Sequence, residues 1–147
     1  MFDRNLYNKY DKAGKTRLLD ILTNQGYKLV GNLGTEYYKD TDIIVLNPKT
    51  NQQLKWEVEV KNNVHFDKVV RGIFKDIIIN YRKAKNKSDY YCVFSSNYDQ
   101  MLVASFKDIK SSPTTIINTN RGEEKVFKVD RSKWKLYSIN GNNIQQK

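Results

Sequence analysis

The sequence contains one cysteine and one histidine, which excludes several kinds of disulfide, metal and catalytic site. With Cys92 alone, neither an internal disulfide nor a thiolate cage for zinc can form. With His65 alone, a histidine-based metal cluster is excluded and a Ser-His-Asp catalytic triad is disfavoured. We therefore interpret Cys92 as a small buried hydrophobe and His65 as a structural hydrogen-bonding residue.

The sequence also lacks long apolar runs and low-complexity segments that would mark a linker between domains. No stretch has the length needed to cross a membrane, and residues 1–4 carry no apolar signal-peptide core. The two prolines and seven glycines are scattered singly, without a linker or a repeat. These absences predict a single domain over residues 1–147, no membrane contact and a cytoplasmic location (the host cytoplasm if the chain is encoded by a phage).

Positive charge is what the sequence has in excess. Its 26 Lys and Arg residues against 16 Asp and Glu residues give a formal net charge of +10. On one small domain, this excess indicates a polyanionic partner, and we expect that partner to be nucleic acid. The alternative is a basic surface that has no such role.

The first half of the chain shows one helical segment and three strand segments. A helix is predicted near 15–25, where Leu18, Leu19 and Leu22 share a face and Gly26 provides the C-cap. Strands are predicted over 27–31, 41–46 and 54–61. The last two flank a turn over 47–51, so they are expected to form an antiparallel hairpin.

The second half begins with the strongest helical periodicity in the chain. Apolar side chains recur every three or four residues over 66–81, although 77–79 could equally begin a strand. Further strands are predicted over 90–94, 101–106, 114–118 and 125–129. The sequence thus predicts an α/β (α+β) domain with a mixed central sheet. Its core would cover about 15–106, followed by C-terminal strands over 107–139 and a polar tail over 140–147.

The strand over 54–61 carries the candidate chemistry. Alternation places Glu57, Glu59 and Lys61 on one face of this strand and the apolar residues between them on the other. Asp42, near the start of the preceding strand, is expected beside Glu59. Two converging carboxylates need a cation, and Mg²⁺, with Mn²⁺ as a substitute, prefers oxygen ligands. Lys61 would then position or deprotonate water and stabilise charge on a phosphate.

These residues resemble the D…(D/E)-x-K signature of the PD-(D/E)XK nuclease superfamily, and the order of elements resembles its αβββαβ restriction-endonuclease-like core. More loosely, residues 64–106 resemble small phage-encoded members of that superfamily, including Holliday-junction-resolvase-like ones. The resemblance implies that Asp42 and Glu59 bind metal and that Lys61 serves the nucleophilic water. Thr41 stands where the signature has proline.

Other residues are secondary candidates for the same site. Asp40 competes with Asp42 for the metal, and Glu57, Asp20 and Glu36 are candidate supporting acids. Arg82, Lys83 and Lys85 are candidate phosphate contacts, with a solvated basic surface as the alternative. Trp134 fits either a core or a base-stacking role.

We therefore expect a Mg²⁺-dependent DNA endonuclease acting on duplex or branched DNA, with a homodimer as the assembly suggested by analogy. Two other functions stay open. One is a non-catalytic nucleic-acid-binding domain, a nuclease that has lost its activity. The other is a basic phage protein that binds a protein partner.

Overall fold

The computed structural model describes residues 4–30, 42–61, 76–85, 87–95 and 97–146. Within these ranges the chain forms a single mixed α+β domain, as the sequence predicts. No helix in these ranges is long and apolar enough to cross a membrane.

Helix α1 (Arg4–Asn24) packs on one face of the larger sheet. Leu18, Ile21 and Leu22 recur at helical spacing and are buried, so this apolar stripe faces the strands. Gly26, at a φ of 100°, follows the helix where the left-handed backbone suits glycine. Gly14 lies against strand β3 (Gln52–Lys61), where a Cβ atom on residue 14 would stand 2.9 Å from Cγ2 of Val60.

The larger sheet has the strand order β1-β2-β3-β5-β6-β9-β10 among the described residues. Strands β2 and β3 form the expected antiparallel hairpin, whereas β3 and β5 run parallel. The sheet is therefore mixed, with β3 in its interior. The strands are β1 (Lys28–Leu29), β2 (Ile43–Asn47), β3 (Gln52–Lys61), β5 (Tyr90–Ser95), β6 (Gln100–Ser105), β9 (Lys135–Asn140) and β10 (Asn143–Gln146).

A smaller sheet covers the other face of the larger one. It has the order β4-β8-β7, with every pair antiparallel. Its strands are β4 (Asp76–Asn80), β7 (Thr114–Thr119) and β8 (Gly122–Asp130). A 3₁₀ helix (Tyr81–Lys85) follows β4, a short helix α2 (Phe106–Lys110) follows β6, and a second 3₁₀ helix (Arg131–Lys133) follows β8.

The larger sheet thus has two hydrophobic cores, one on each face. The first core lies beneath α1 and includes Ile43, Val58 and Phe94. The second lies between the two sheets and includes Tyr91 and Trp134. Polar side chains of β3 that point toward the second core are consequently shielded from water by the smaller sheet.

Two predicted segments are corrected by the structure. The helix expected over 66–81 does not include residues 76–81. Asp76–Asn80 form strand β4, and Tyr81–Lys85 form a 3₁₀ helix. The alternative that 77–79 begin a strand is the correct one, and 66–75 lie outside the described residues. The polar tail expected over 140–147 contains strand β10, which pairs with β9 around Gly141 at a φ of 63°.

The close approach of α1 to β3 predicts the effect of Gly14→Ala. The added methyl group would gain up to about 1 kcal/mol in helix propensity but would collide with the stiff β-branched side chain of Val60. We expect a net loss of about 1–2 kcal/mol in the free energy of unfolding, measured with urea. In a Val60→Ala background the same change should cost less than about 0.5 kcal/mol. A stabilising effect of Gly14→Ala alone would contradict the packing described for α1.

Candidate active site

Asp42 lies at the end of the β2–β3 hairpin, where both its backbone and its side chain bond to the backbone of β3. Its backbone N–H donates to the Trp56 carbonyl at 3.0 Å, and its Oδ2 accepts the Val58 N–H at 2.9 Å. The carboxylate thus accepts a β3 backbone N–H that a strand carbonyl would otherwise accept. This hydrogen bond fixes the carboxylate beside Val58. Its other oxygen, Oδ1, lies 3.5 Å from Nζ of Lys15 on α1.

Glu57 and Glu59 alternate with Val58 on β3, as the sequence predicts. Val58 belongs to the core beneath α1, so the two carboxylates face the smaller sheet. Glu57 is buried, with 8% of its surface exposed, and Glu59 is half-buried. Glu57 lies between Trp56 and Val58, whose backbone groups both bond to Asp42, so Asp42 lies beside Glu57. Strand β3 and the residue that precedes β2 therefore bring three carboxylates to one region.

Lys83, on the 3₁₀ helix after β4, brings a positive charge to these acids. Its Nζ donates a hydrogen bond to Oε1 of Glu57 and forms an ion pair with it. Burial alone would lower the pKa of the Lys83 amino group, but Glu57, and to a smaller extent Asp42 and Glu59, raise it above 10.5. All three carboxylates therefore act on this one ammonium group, which stays charged at neutral pH. We call Asp42, Glu57 and Glu59 the carboxylate cluster.

Tyr91 fixes the position of Glu59. Its hydroxyl group donates to Oε2 of Glu59 from the neighbouring parallel strand β5. The ring is buried and is held edge-on by Phe106 and Trp134, with ring centroids 5.8 and 6.1 Å away. Trp134 is thus a core residue that supports Tyr91, which answers the question that the sequence left open.

The remaining predicted site residues differ in where they lie. Asp20 is exposed on the side of α1 away from its buried stripe, so it does not join the carboxylate cluster. Arg82 is exposed and its Nε donates to Asn80 Oδ1 at 3.2 Å, so it remains a candidate phosphate contact. Lys61 extends β3, with its backbone paired to Ser95. Outside the described part of the chain lie Glu36, Asp40, Thr41, His65 and the side chains of Lys61 and Lys85.

Lys83, Tyr91 and Lys15 are the site contacts that sequence reasoning missed. Lys83 was expected to contact phosphate, whereas its ammonium group contacts Glu57. Tyr91 carried little signal, because every residue from Tyr91 to Ser95 is buried and only the parallel pairing with β3 places it beside the acids. Lys83 carried no signal, because its placement depends on how the smaller sheet packs on the larger one.

The donor set of the cluster suits a hard divalent cation. Its ligands would be carboxylate oxygens, and the ammonium groups of Lys83 and Lys15 offset only part of their negative charge. Among the described residues, no group of three His, Cys, Asp or Glu side chains is arranged to hold one ion. Mg²⁺ on a phosphate substrate needs only one or two protein carboxylates, and Asp42 and Glu59 can supply them.

Comparisons of this chain with protein-family models, with curated proteins and with solved structures find no match.

The contact between Lys83 and Glu57 predicts a measurable coupling energy. Lys83→Met would leave a buried carboxylate without its cation, and Glu57→Gln would remove the charge that the lysine balances. Because 37% of the Lys83 side chain is exposed, we expect a double-mutant cycle to give about 1–2 kcal/mol, less than a fully buried pair gives. Since the Lys83 pKa is raised on folding, this stabilisation is complete at neutral pH and is lost only as pH rises above 10.5.

Urea unfolding at pH 7 of wild type, both single variants and the double variant measures this coupling. Lys133→Met removes an exposed charge of the same sign and is the control for a general charge effect. A coupling below about 0.3 kcal/mol would show that the Lys83–Glu57 contact contributes nothing to stability.

Proposed function

We propose that this chain is a metal-dependent nuclease that hydrolyses phosphodiester bonds in DNA at the carboxylate cluster. The observation that carries this proposal is that Glu57 and Glu59 on β3, and Asp42 just before β2, act on the Lys83 ammonium group, with Lys15 beside Asp42. Clustered carboxylates repel one another, so a protein keeps them together at a cost that a functional cation would offset. Membership of the PD-(D/E)XK nuclease superfamily is part of this proposal and rests on the signature alone.

Each residue of the site has a role in the proposed reaction. Asp42 and Glu59 would hold Mg²⁺ or Mn²⁺, and both are already fixed, Asp42 by the Val58 N–H and Glu59 by the Tyr91 hydroxyl. The bound ion would supply the positive charge that lowers the pKa of water and stabilises the phosphate. Lys61, two residues beyond Glu59 on β3, would orient the attacking water.

The overall charge supports nucleic acid as the substrate. A formal net charge of +10 attracts the negatively charged DNA backbone. The carboxylate cluster is a local region of negative charge within this basic domain. Arg82 is exposed on the same 3₁₀ helix as Lys83, so a basic group suited to a neighbouring phosphate lies close to the cluster along the chain. The cytoplasm, where DNA and Mg²⁺ meet, is the location that fits this activity.

A second candidate function is a non-catalytic nucleic-acid-binding domain. The contact between Lys83 and Glu57 favours it, because a permanent lysine would neutralise the cluster without a metal ion. Such a domain would keep its basic surface and bind DNA without cleaving it. Cleavage and binding assays separate the two functions.

Asp42→Asn tests the metal mechanism with little change in structure. The amide oxygen can still accept the Val58 N–H, but the ion loses a charged ligand. We expect cleavage of linear or four-way-branched DNA to fall by about 100-fold or more in Mg²⁺ or Mn²⁺. DNA binding should be unchanged or slightly tighter, because one negative charge facing phosphate is removed.

Asp89→Asn is the matched control for Asp42→Asn. Asp89 Oδ2 accepts the Lys55 N–H at 2.8 Å, so it also fixes the backbone of β3 but lies outside the carboxylate cluster. Its variant should cleave like wild type. Full activity of wild type in EDTA, or of Asp42→Asn in Mg²⁺, would refute the metal mechanism. Tight binding without any cleavage would favour the non-catalytic domain.

The salt dependence of DNA binding tests the role of the basic surface. About five neutralised phosphates give a slope of about −4 to −5 when log K is plotted against log salt concentration. Arg82→Ala should reduce that slope by about one unit if the guanidinium group contacts phosphate. Fluorescence anisotropy with a labelled duplex, at salt concentrations between about 50 and 200 mM, measures this dependence. A flat dependence would indicate a protein partner instead.

A further inference from the structure

The ammonium group of Lys83 lies where a cation balancing the carboxylate cluster would lie. It is in direct contact with Glu57, and Asp42 and Glu59 also stabilise its charged form. Lys83 lies on the 3₁₀ helix that follows β4 of the smaller sheet, while Glu57 and Glu59 lie on β3 of the larger sheet and Asp42 directly precedes β2. The two layers are therefore joined at this point by opposite charges.

The three carboxylates differ in how firmly they are held by other groups. Asp42 accepts a backbone N–H and lies 3.5 Å from the Lys15 ammonium group, whereas Glu59 accepts a tyrosine hydroxyl. Glu57 is the most buried of the three and is in ion-pair contact with Lys83. A divalent ion entering the cluster would therefore meet electrostatic repulsion from Lys83 as well as attraction from the acids.

We infer that Lys83 is an internal counter-cation of this site, in addition to Lys15 at Asp42, and competes with the divalent ion for the carboxylate cluster. This inference rests on the proposed function, since it assumes that the cluster takes up Mg²⁺ or Mn²⁺. In the metal-free protein Lys83 keeps the acids together and the two sheets joined. When an ion binds, Glu57 and Lys83 separate, and the lysine sets the ion concentration at which the site is filled.

The exposure of Lys83 makes this exchange feasible. The lysine side chain is 37% exposed, whereas that of Glu57 is 11% exposed, so the lysine has a path to solvent and the glutamate does not. A long, flexible lysine stem can move its charge several ångströms without changing the backbone. The released ammonium group would lie beside exposed Arg82, where it could contact a substrate phosphate.

Neutral substitutions of Lys83 test the competition through ion affinity. Removing a positive charge next to the ion should tighten Mn²⁺ binding by roughly tenfold, with the Coulomb energy reduced because the site is partly open to water. Lys83→Met removes the charge entirely. Lys83→Gln also removes it but keeps a donor for Glu57, so this variant should fold without metal even if Lys83→Met does not. Titration calorimetry with Mn²⁺ gives the affinities.

Two further variants separate competition from other effects of charge. Lys83→Arg keeps the positive charge and can hold Glu57 with two parallel hydrogen bonds, so it should bind Mn²⁺ no more tightly than wild type. Lys133→Met lowers the net charge by the same amount at an exposed position on the second 3₁₀ helix and should leave the affinity within about twofold.

Thermal unfolding gives a second readout that does not involve catalysis. Without metal, the Lys83→Gln variant should unfold at a lower temperature than wild type, because the carboxylates repel one another. Saturating Mn²⁺ should close that gap, since tighter binding to the folded state gives a larger stabilisation. EDTA should restore the difference.

The outcomes distinguish this inference from the proposed function. Tenfold tighter Mn²⁺ binding by the neutral variants supports the competition, even if no DNA is cleaved and the nuclease proposal fails. Equal or weaker binding by the neutral variants overturns it, and Mg²⁺-dependent cleavage by wild type would then leave the nuclease proposal intact. If neither wild type nor the neutral variants bind Mn²⁺, both the competition and the metal mechanism are wrong.

Discussion

The contact between Lys83 and Glu57 is the interaction on which the rest of the site depends. Glu57 is buried on the face of β3 that the smaller sheet covers, so its charge needs a partner inside the protein. Lys83 provides that partner from the 3₁₀ helix that follows β4. The same pair offsets part of the charge of the carboxylate cluster and links the larger sheet to the 3₁₀ helix that follows β4. Stability and the proposed function are therefore linked at one place.

The two faces of β3 explain how a small domain can combine a stable core with a polar site. One face packs under α1, and Gly14 allows a close approach there. The other face carries Glu57 and Glu59 along the edge of the core between the sheets. Because β3 lies inside the larger sheet, its backbone is held on both sides. Glu57 and Glu59 thus lie on a strand that is hydrogen-bonded to a neighbouring strand on each side.

The sequence predicts the parts of the fold and the site that depend on local patterns. Alternation along β3 predicts which side of the strand Glu57 and Glu59 occupy, and the turn over 47–51 predicts that Asp42 comes beside them. The mixed sheet follows from the same reasoning, because a hairpin and a parallel pairing share β3.

Longer-range packing could not be predicted in the same way. Ile78 and Ile79 fit either a helix or a strand by periodicity, and only pairing with β8 selects the strand. That pairing places Lys83 next to Glu57, a residue 26 positions earlier in the chain. Strand β10 was missed because its residues are polar. Its place is set by the turn at Gly141 and by hydrogen bonds from Arg17 to Gly141 and Asn142.

The most direct test of the central claim is a crystal structure of the wild-type protein soaked with Mn²⁺, with the ion located by its anomalous scattering. The account predicts an anomalous peak within about 2.0–2.4 Å of carboxylate oxygens of Asp42 and Glu59, with the Lys83 amino group withdrawn from Glu57. A structure without a peak at the carboxylate cluster at millimolar Mn²⁺, with Lys83 still bound to Glu57, would contradict a metal-dependent nuclease.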